Sequence, residues 1–147
     1  MKNIIFQSHW SKPVRWKYQN QDLRDQLLMY GLSAHTLRKA FDCPVFMVTD
    51  RPFASILSDL PKIYDGVSTE LDDVNFDKDF WAFPKFHIDM TYGEEFAKQD
   101  TRIIQCDTDV FFWESMQIGD APDLLVQSIE GNDHFEQSYT MPVAFTD

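Results

Sequence analysis

The chain contains several short, continuous runs of apolar residues, and three of them predict β-strands. The runs lie at residues 2–8, 45–50 and 102–114 and are rich in β-branched and aromatic side chains, which fit a pleated surface. The first run is apolar on successive positions, as in strands that are buried on both faces of a sheet. We therefore expect it to be the central strand.

Between these runs, apolar residues recur every three or four positions, which predicts helices. The clearest apolar stripe covers residues 22–41, and a shorter helix is predicted over residues 53–60, after a loop at residues 51–52. A further, irregular helix is expected over residues 80–98, with Pro84 in its first turn. The alternation of strands and helices predicts an α/β fold with a mainly parallel sheet and helices on both faces.

The remaining segments complete a single expected domain over residues 1–147. A short third strand is predicted at residues 62–64. The most acidic stretch follows at residues 65–79, and we expect it to be a solvated loop or a short irregular helix. Two further strands are predicted at residues 123–129 and 139–145.

Composition and charge narrow the classes of function. The 147 residues are 44% hydrophobic, which suffices for one core. The formal net charge of −11 argues against binding to nucleic acid backbones, which requires clustered Lys and Arg.

No apolar run is long enough to span a bilayer, and the first residues lack the features of a signal peptide, so we expect a cytoplasmic protein. Cys43 and Cys106 show no metal-type spacing and are expected to be reduced.

The candidate chemistry lies in the run at residues 102–114, where Asp107 and Asp109 interrupt the apolar residues. Buried charges are costly unless they are compensated, but the carboxyl end of a strand opens into the crevice where α/β folds bind ligands. Mn²⁺ and Mg²⁺ take carboxylate and phosphate oxygens. We therefore predict that the two acids hold a divalent cation. The alternative is that one of them caps the next loop and the other pairs with Lys85 or Arg102.

Residues 80–114 resemble the metal-binding region of GT-A glycosyltransferases, most closely the glycogenin-like and lipopolysaccharide-type retaining enzymes and bacterial GT-A-like proteins. In these families, a Trp and a Lys on a helix precede a basic and apolar strand that leads into Asp-x-Asp. The matching positions are Trp81, Lys85, Phe96, Arg102, Ile103, Ile104, Asp107, Thr108, Asp109 and Val110. The resemblance implies a Rossmann-like GT-A fold of the nucleotide-diphospho-sugar transferases.

The resemblance also implies a function and a set of site residues. Asp107 and Asp109 would coordinate Mn²⁺ or Mg²⁺, and the ion would bridge the diphosphate of a UDP- or GDP-linked sugar and act as a Lewis acid. Lys85 would assist as a point charge near the diphosphate or the sugar. The nucleotide sugar would also contact residues at the ends of the first two strands: Gln7, Ser8, the corner formed by His9 and Trp10, and Asp50.

The enzymes that share this pattern are longer, and the additional part holds the acceptor site and often a histidine ligand. We therefore expect one of three cases: a donor-binding domain truncated at the C-terminus, a naturally short relative, or a donor-binding half that needs a partner chain. That chain would be a protein partner or a second copy in a homo-oligomer. His134 is expected to be an ordinary loop histidine. The competing hypothesis is a catalytically inactive, acidic interaction module on a GT-A-like fold. A phosphotransferase or nuclease is disfavoured, because no further cluster of Asp, Glu or His lies close to these acids in the sequence to complete a two-metal site.

Overall fold

The computed structural model describes residues 2–11, 23–75 and 83–116. The chain divides into two units, Met1–Ser115 and Met116–Asp147. The strands predicted at residues 123–129 and 139–145 and the loop histidine His134 lie outside the described residues, so these remain predictions. No helix within the described ranges is long and apolar enough to cross a membrane.

The first unit is an α/β structure built on a four-stranded parallel sheet. Its helices are α1 (Leu23–Phe41), α2 (Arg51–Ser58) and α3 (Phe83–Lys98), and its strands are β1 (Lys2–Ser8), β2 (Val45–Val48), β3 (Gly66–Ser68) and β4 (Thr101–Gln105). The strand order is β3-β2-β1-β4, and every adjacent pair is parallel. β1 is a central strand, as the sequence predicted. The order matches that of doubly wound, Rossmann-like sheets.

The two faces of the sheet are covered by different helices. Ile5 of β1 belongs to a buried cluster that includes residues of α1 and α2, such as Leu37. Its neighbours Ile4 and Phe6 point to the other face, where they pack in a second cluster with Ile88 of α3. Successive side chains of a strand point to opposite faces, so β1 contributes to both cores. The prediction of helices on both faces is confirmed.

The third strand lies further along the chain than predicted. Pairing with β2 begins at Asp65, whose backbone N–H donates to the carbonyl of Val45 at 2.8 Å. The side chain of Tyr64 is buried in the core between sheet and helices and donates from its hydroxyl to Oε1 of Gln7 at 3.1 Å. The strand predicted at residues 62–64 is therefore wrong, because this segment precedes the ladder.

The second helix begins earlier than predicted. Asp50 is its N-cap and accepts a hydrogen bond from the backbone N–H of Phe53, and a proline occupies the first turn. Both features are typical of helix starts, so the loop predicted at residues 51–52 is wrong. The acidic stretch that follows is only partly solvated, because the short 3₁₀ helix Glu70–Asp72 buries Leu71 completely.

Candidate functional site

The side on which successive strands are added to the sheet reverses at β1, and this point marks the candidate site. β2 and β3 extend the sheet on one side of β1, and β4 is added on the other. In doubly wound sheets, ligands bind outside the carboxyl ends of the strands at such a switch point. The segments that leave β1 and β4 flank this position, and the two acids of the sequence motif follow β4.

Asp107, Thr108, Asp109 and Val110 form what we call the acid-bearing turn. It closes with a hydrogen bond from the N–H of Val110 to the carbonyl of Asp107 at 3.4 Å. Asp107 and Asp109 are both exposed. The two carboxylates therefore reach solvent at the switch point and avoid the cost of burying charge.

Lys85, in the first turn of α3, contributes a cation to this edge of the sheet. Its Nζ lies 2.6 Å from Oδ1 of Asp107, and the side chains are 37% and 52% exposed. Ion pairs that are this accessible contribute only about 0–1 kcal/mol to stability. The pair therefore matters for the charge that it places at the site. It also matches the predicted alternative in which one acid pairs with Lys85. Trp81, the other residue of the helix motif, lies outside the described residues.

The donor set suits an ion that is bound together with a phosphate ligand. Among the residues that the structure describes, no group of three or more His, Cys, Asp or Glu side chains is arranged to hold a metal. Asp107 and Asp109 supply two carboxylates. Mg²⁺ is usually bound by one or two carboxylates, with waters and substrate phosphates completing its shell. Two exposed acids therefore fit a metal–diphosphate complex better than a protein-only metal site.

Gln7, predicted to contact the nucleotide sugar, is fully buried at the end of β1. Its Nε2 donates to Oγ of Ser33 and to the carbonyl of Asp107, both at 2.8 Å. Its Oε1 accepts from Tyr64. The side-chain amide of Gln7 therefore forms its hydrogen bonds within the protein. Its link to the site is the bond to the carbonyl of Asp107, in the acid-bearing turn.

The other predicted binding residues lie around the loop that leaves β1. Ser8 is half-buried. Trp10 is only 7% exposed and packs with the ring of Phe83, with 6.0 Å between ring centroids. Asp50 is buried and accepts from the backbone N–H of Ser11 at 2.9 Å and from its hydroxyl at 2.5 Å. Trp10 thus covers the core, and Asp50 joins the loop after β1 to the start of α2.

His9, which the resemblance placed with Trp10 beside the nucleoside, lies at the end of β1. Its Nδ1 lies 2.8 Å from the hydroxyl of Tyr30, and its ring centroid lies 4.0 Å from that of Phe53. Burial lowers the pKa of His9, and the negative charge of Asp50 opposes this. Burial also raises the pKa of Tyr30, and the nearby side chain of Thr108 opposes this shift. Both side chains are therefore neutral at pH 7 and connect β1 to the acid-bearing turn.

The sequence motifs did not identify two buried hydroxyls of α1 that contact the segment after β4. Oγ of Ser33 donates to the carbonyl of Val110 at 2.6 Å. Oγ1 of Thr36 accepts from the N–H of Phe112 at 3.3 Å. A search for apolar stripes does not detect such residues. The signal that indicates them is the three-residue spacing of Tyr30, Ser33 and Thr36 along one helix.

The fold and this edge of the sheet define a doubly wound α/β protein with an exposed carboxylate turn at its switch point. The chain belongs to a family of unknown function, DUF6734, whose model matches residues 1–145. No curated protein and no solved structure matches the chain.

Proposed function

We propose that this protein is a metal-dependent glycosyltransferase of the GT-A type, or the donor-binding part of one. It binds a nucleotide sugar through Mn²⁺ or Mg²⁺ held by Asp107 and Asp109. The proposal rests on one observation, namely that both acids are exposed immediately after β4, at the switch point beside β1. The resemblance of residues 80–114 to the metal-binding region of GT-A enzymes supports the same assignment.

The residues of the site have distinct roles in this proposal. The metal would stabilise the negative charge that develops on the departing nucleoside diphosphate. Lys85 holds a positive charge 2.6 Å from Asp107, where it attracts the diphosphate and limits the repulsion between two neighbouring carboxylates. Ser8 and His9, at the carboxyl end of β1, border the position of the nucleoside.

Calorimetric titration of the full chain with a panel of UDP- and GDP-linked sugars tests the proposal. We expect binding in the presence of Mn²⁺ and none in EDTA. Asp107→Asn and Asp109→Asn keep the size of the side chain and remove its charge. Each should raise the Kd at least about tenfold, which corresponds to a loss of about 1.4 kcal/mol of binding free energy.

Asp59→Asn is the matched control. Asp59 is an exposed acid at the C-terminal end of α2, which begins at the carboxyl edge of the sheet and runs away from it. The control should bind as the wild type does. If the wild type gives no heat with any sugar nucleotide in the presence of Mn²⁺, the proposal is wrong.

The ion pair between Lys85 and Asp107 favours one competing function, because it compensates one acid without a metal. An acidic interaction module would keep this pair, bind no sugar nucleotide, and hold a basic protein partner. Such a complex weakens as salt screens the charges. A salt-sensitive complex in pull-down experiments, together with no calorimetric signal for sugar nucleotides, would favour this function.

A further inference from the structure

α1 directs a row of buried polar side chains toward the acid-bearing turn. Tyr30, Ser33 and Thr36 are 7%, 0% and 8% exposed. Each of them faces the segment that follows β4. Oγ of Ser33 donates to the carbonyl of Val110 at 2.6 Å, and Oγ1 of Thr36 accepts from the N–H of Phe112 at 3.3 Å. The hydroxyl of Tyr30 lies near the side chain of Thr108.

β1 adds a further contact through Gln7. Nε2 of Gln7 donates to the carbonyl of Asp107 at 2.8 Å and to Oγ of Ser33 at 2.8 Å. Ser33 in turn donates to Val110. The carbonyls of the first and last residues of the turn are therefore both bound by side chains from the protein interior.

These contacts exceed what a surface turn requires. A turn of four residues closes with its own backbone hydrogen bond, and this one has that bond. Buried polar side chains cost free energy unless every one of them is bonded, and here they replace apolar side chains that would pack in the core. Two like charges within one turn repel each other, so an unsupported turn would spread over many conformations.

We propose that Gln7, Tyr30 and Ser33 are positioning residues that fix the acid-bearing turn before a ligand binds. Gln7 and Ser33 bond to the backbone of the turn, and Tyr30 lies near Thr108. All three therefore act on the carboxylates of Asp107 and Asp109 only through the turn. A ligand that uses both carboxylates then binds without the cost of ordering them. The nature of that ligand rests on the proposed function, whereas the ordering of the turn does not.

Hydrogen–deuterium exchange of the full chain without ligand tests the ordering directly. Ser33→Ala removes the donor to Val110, and Tyr30→Phe removes only a hydroxyl. In both variants, peptides that cover residues 103–115 should exchange about tenfold faster than in the wild type, while β1 and β2 keep their protection. Tyr30→Phe retains the aromatic packing, so it provides a folded test if Ser33→Ala is unstable.

Val45→Ala is the control for general destabilisation. Val45 is fully buried in the cluster that also contains Ala34, the residue next to Ser33 on α1. It lies at the amino end of β2, away from the acid-bearing turn. If residues 103–115 exchange no faster in Ser33→Ala than in Val45→Ala, the positioning role is overturned.

Titrations with Mn²⁺ and UDP, and with Mn²⁺ and GDP, separate this inference from the proposed function. If the wild type binds either nucleotide, Ser33→Ala should bind it at least about tenfold more weakly, as is typical when the groups that orient metal ligands are removed. Val45→Ala should bind normally. Equal affinities for Ser33→Ala and the wild type would overturn the positioning role. If the wild type binds neither nucleotide but the turn loosens in Ser33→Ala, the positioning role stands and the proposed function fails.

Discussion

At the scale of single residues, His9 makes the stability of the protein depend on pH. It packs against the rings of Tyr30 and Phe53 at the end of β1, and burial holds its pKa below the ordinary value of 6.5. The unfolded chain therefore binds a proton more readily than the folded chain. The resulting contribution to stability is complete above pH 6.5 and is lost as the pH falls through the lower, folded pKa of His9.

We predict that the free energy of unfolding declines as the pH falls below 6.5, before the carboxylates titrate near about pH 4. In His9→Gln, which does not titrate, this decline should be reduced. Urea denaturation at a series of pH values measures it. His35→Gln serves as the control, because His35 is an exposed histidine on α1. Identical pH profiles for His9→Gln and the wild type would contradict the prediction.

At the scale of elements, Asp50 links α2 to the loop that leaves β1. It caps the helix at Phe53 and accepts two hydrogen bonds from Ser11. Asp50→Ala removes the cap and the anchor together, so we predict a loss of about 1–2 kcal/mol from the cap alone. Asp50→Asn keeps an acceptor and should lose less.

Thermal and urea unfolding of both Asp50 variants measures this ranking. Asp59→Asn, at the other end of α2, is the control and should unfold as the wild type does. Equal losses in Asp50→Ala and Asp50→Asn would show that the cap contributes nothing beyond the charge.

The errors in the predicted elements have physical causes. The start of α2 was predictable in principle, because Asp50 and Pro52 form a typical N-cap and first turn. β3 was not, since Gly66–Ser68 contains no apolar run. Its position is decided by pairing, which places Gly66 opposite Phe46. The acids and Lys85 were identifiable by residue type, but the role of Ser33 depends on which backbone lies against α1.

At the scale of the whole molecule, the two cores of the first unit share β1. Leu37 of α1 packs on one face and Ile88 of α3 on the other, and both are almost fully buried. We predict that Leu37→Ala and Ile88→Ala each lower the free energy of unfolding by about 2–5 kcal/mol. Both should do so in one cooperative transition.

Circular dichroism and tryptophan fluorescence, followed in the same urea titration, provide the check. Coincident curves for each variant are expected. A separate transition in one of the two signals would show that the cores on the two faces unfold independently.

The sequence predicted the class of this sheet but not the order of its strands. Alternating strands and helices favour parallel pairing, and all of the pairs among the described strands are parallel. The same alternation is compatible with several strand orders. The position of β4 beside β1, which creates the switch point, follows only from contacts between distant parts of the chain.

The contact between Gln7 and Asp107 joins residues that are 100 positions apart, and this separation sets the order in which the protein can be assembled. During synthesis, β1 leaves the ribosome before its partner β4. The helices α1, α2 and α3 and the strands β2 and β3 emerge between them. Contacts that close long loops form slowly. The carboxylates of Asp107 and Asp109 can therefore reach their position beside β1 only after the amino-terminal half of the sheet has been synthesised.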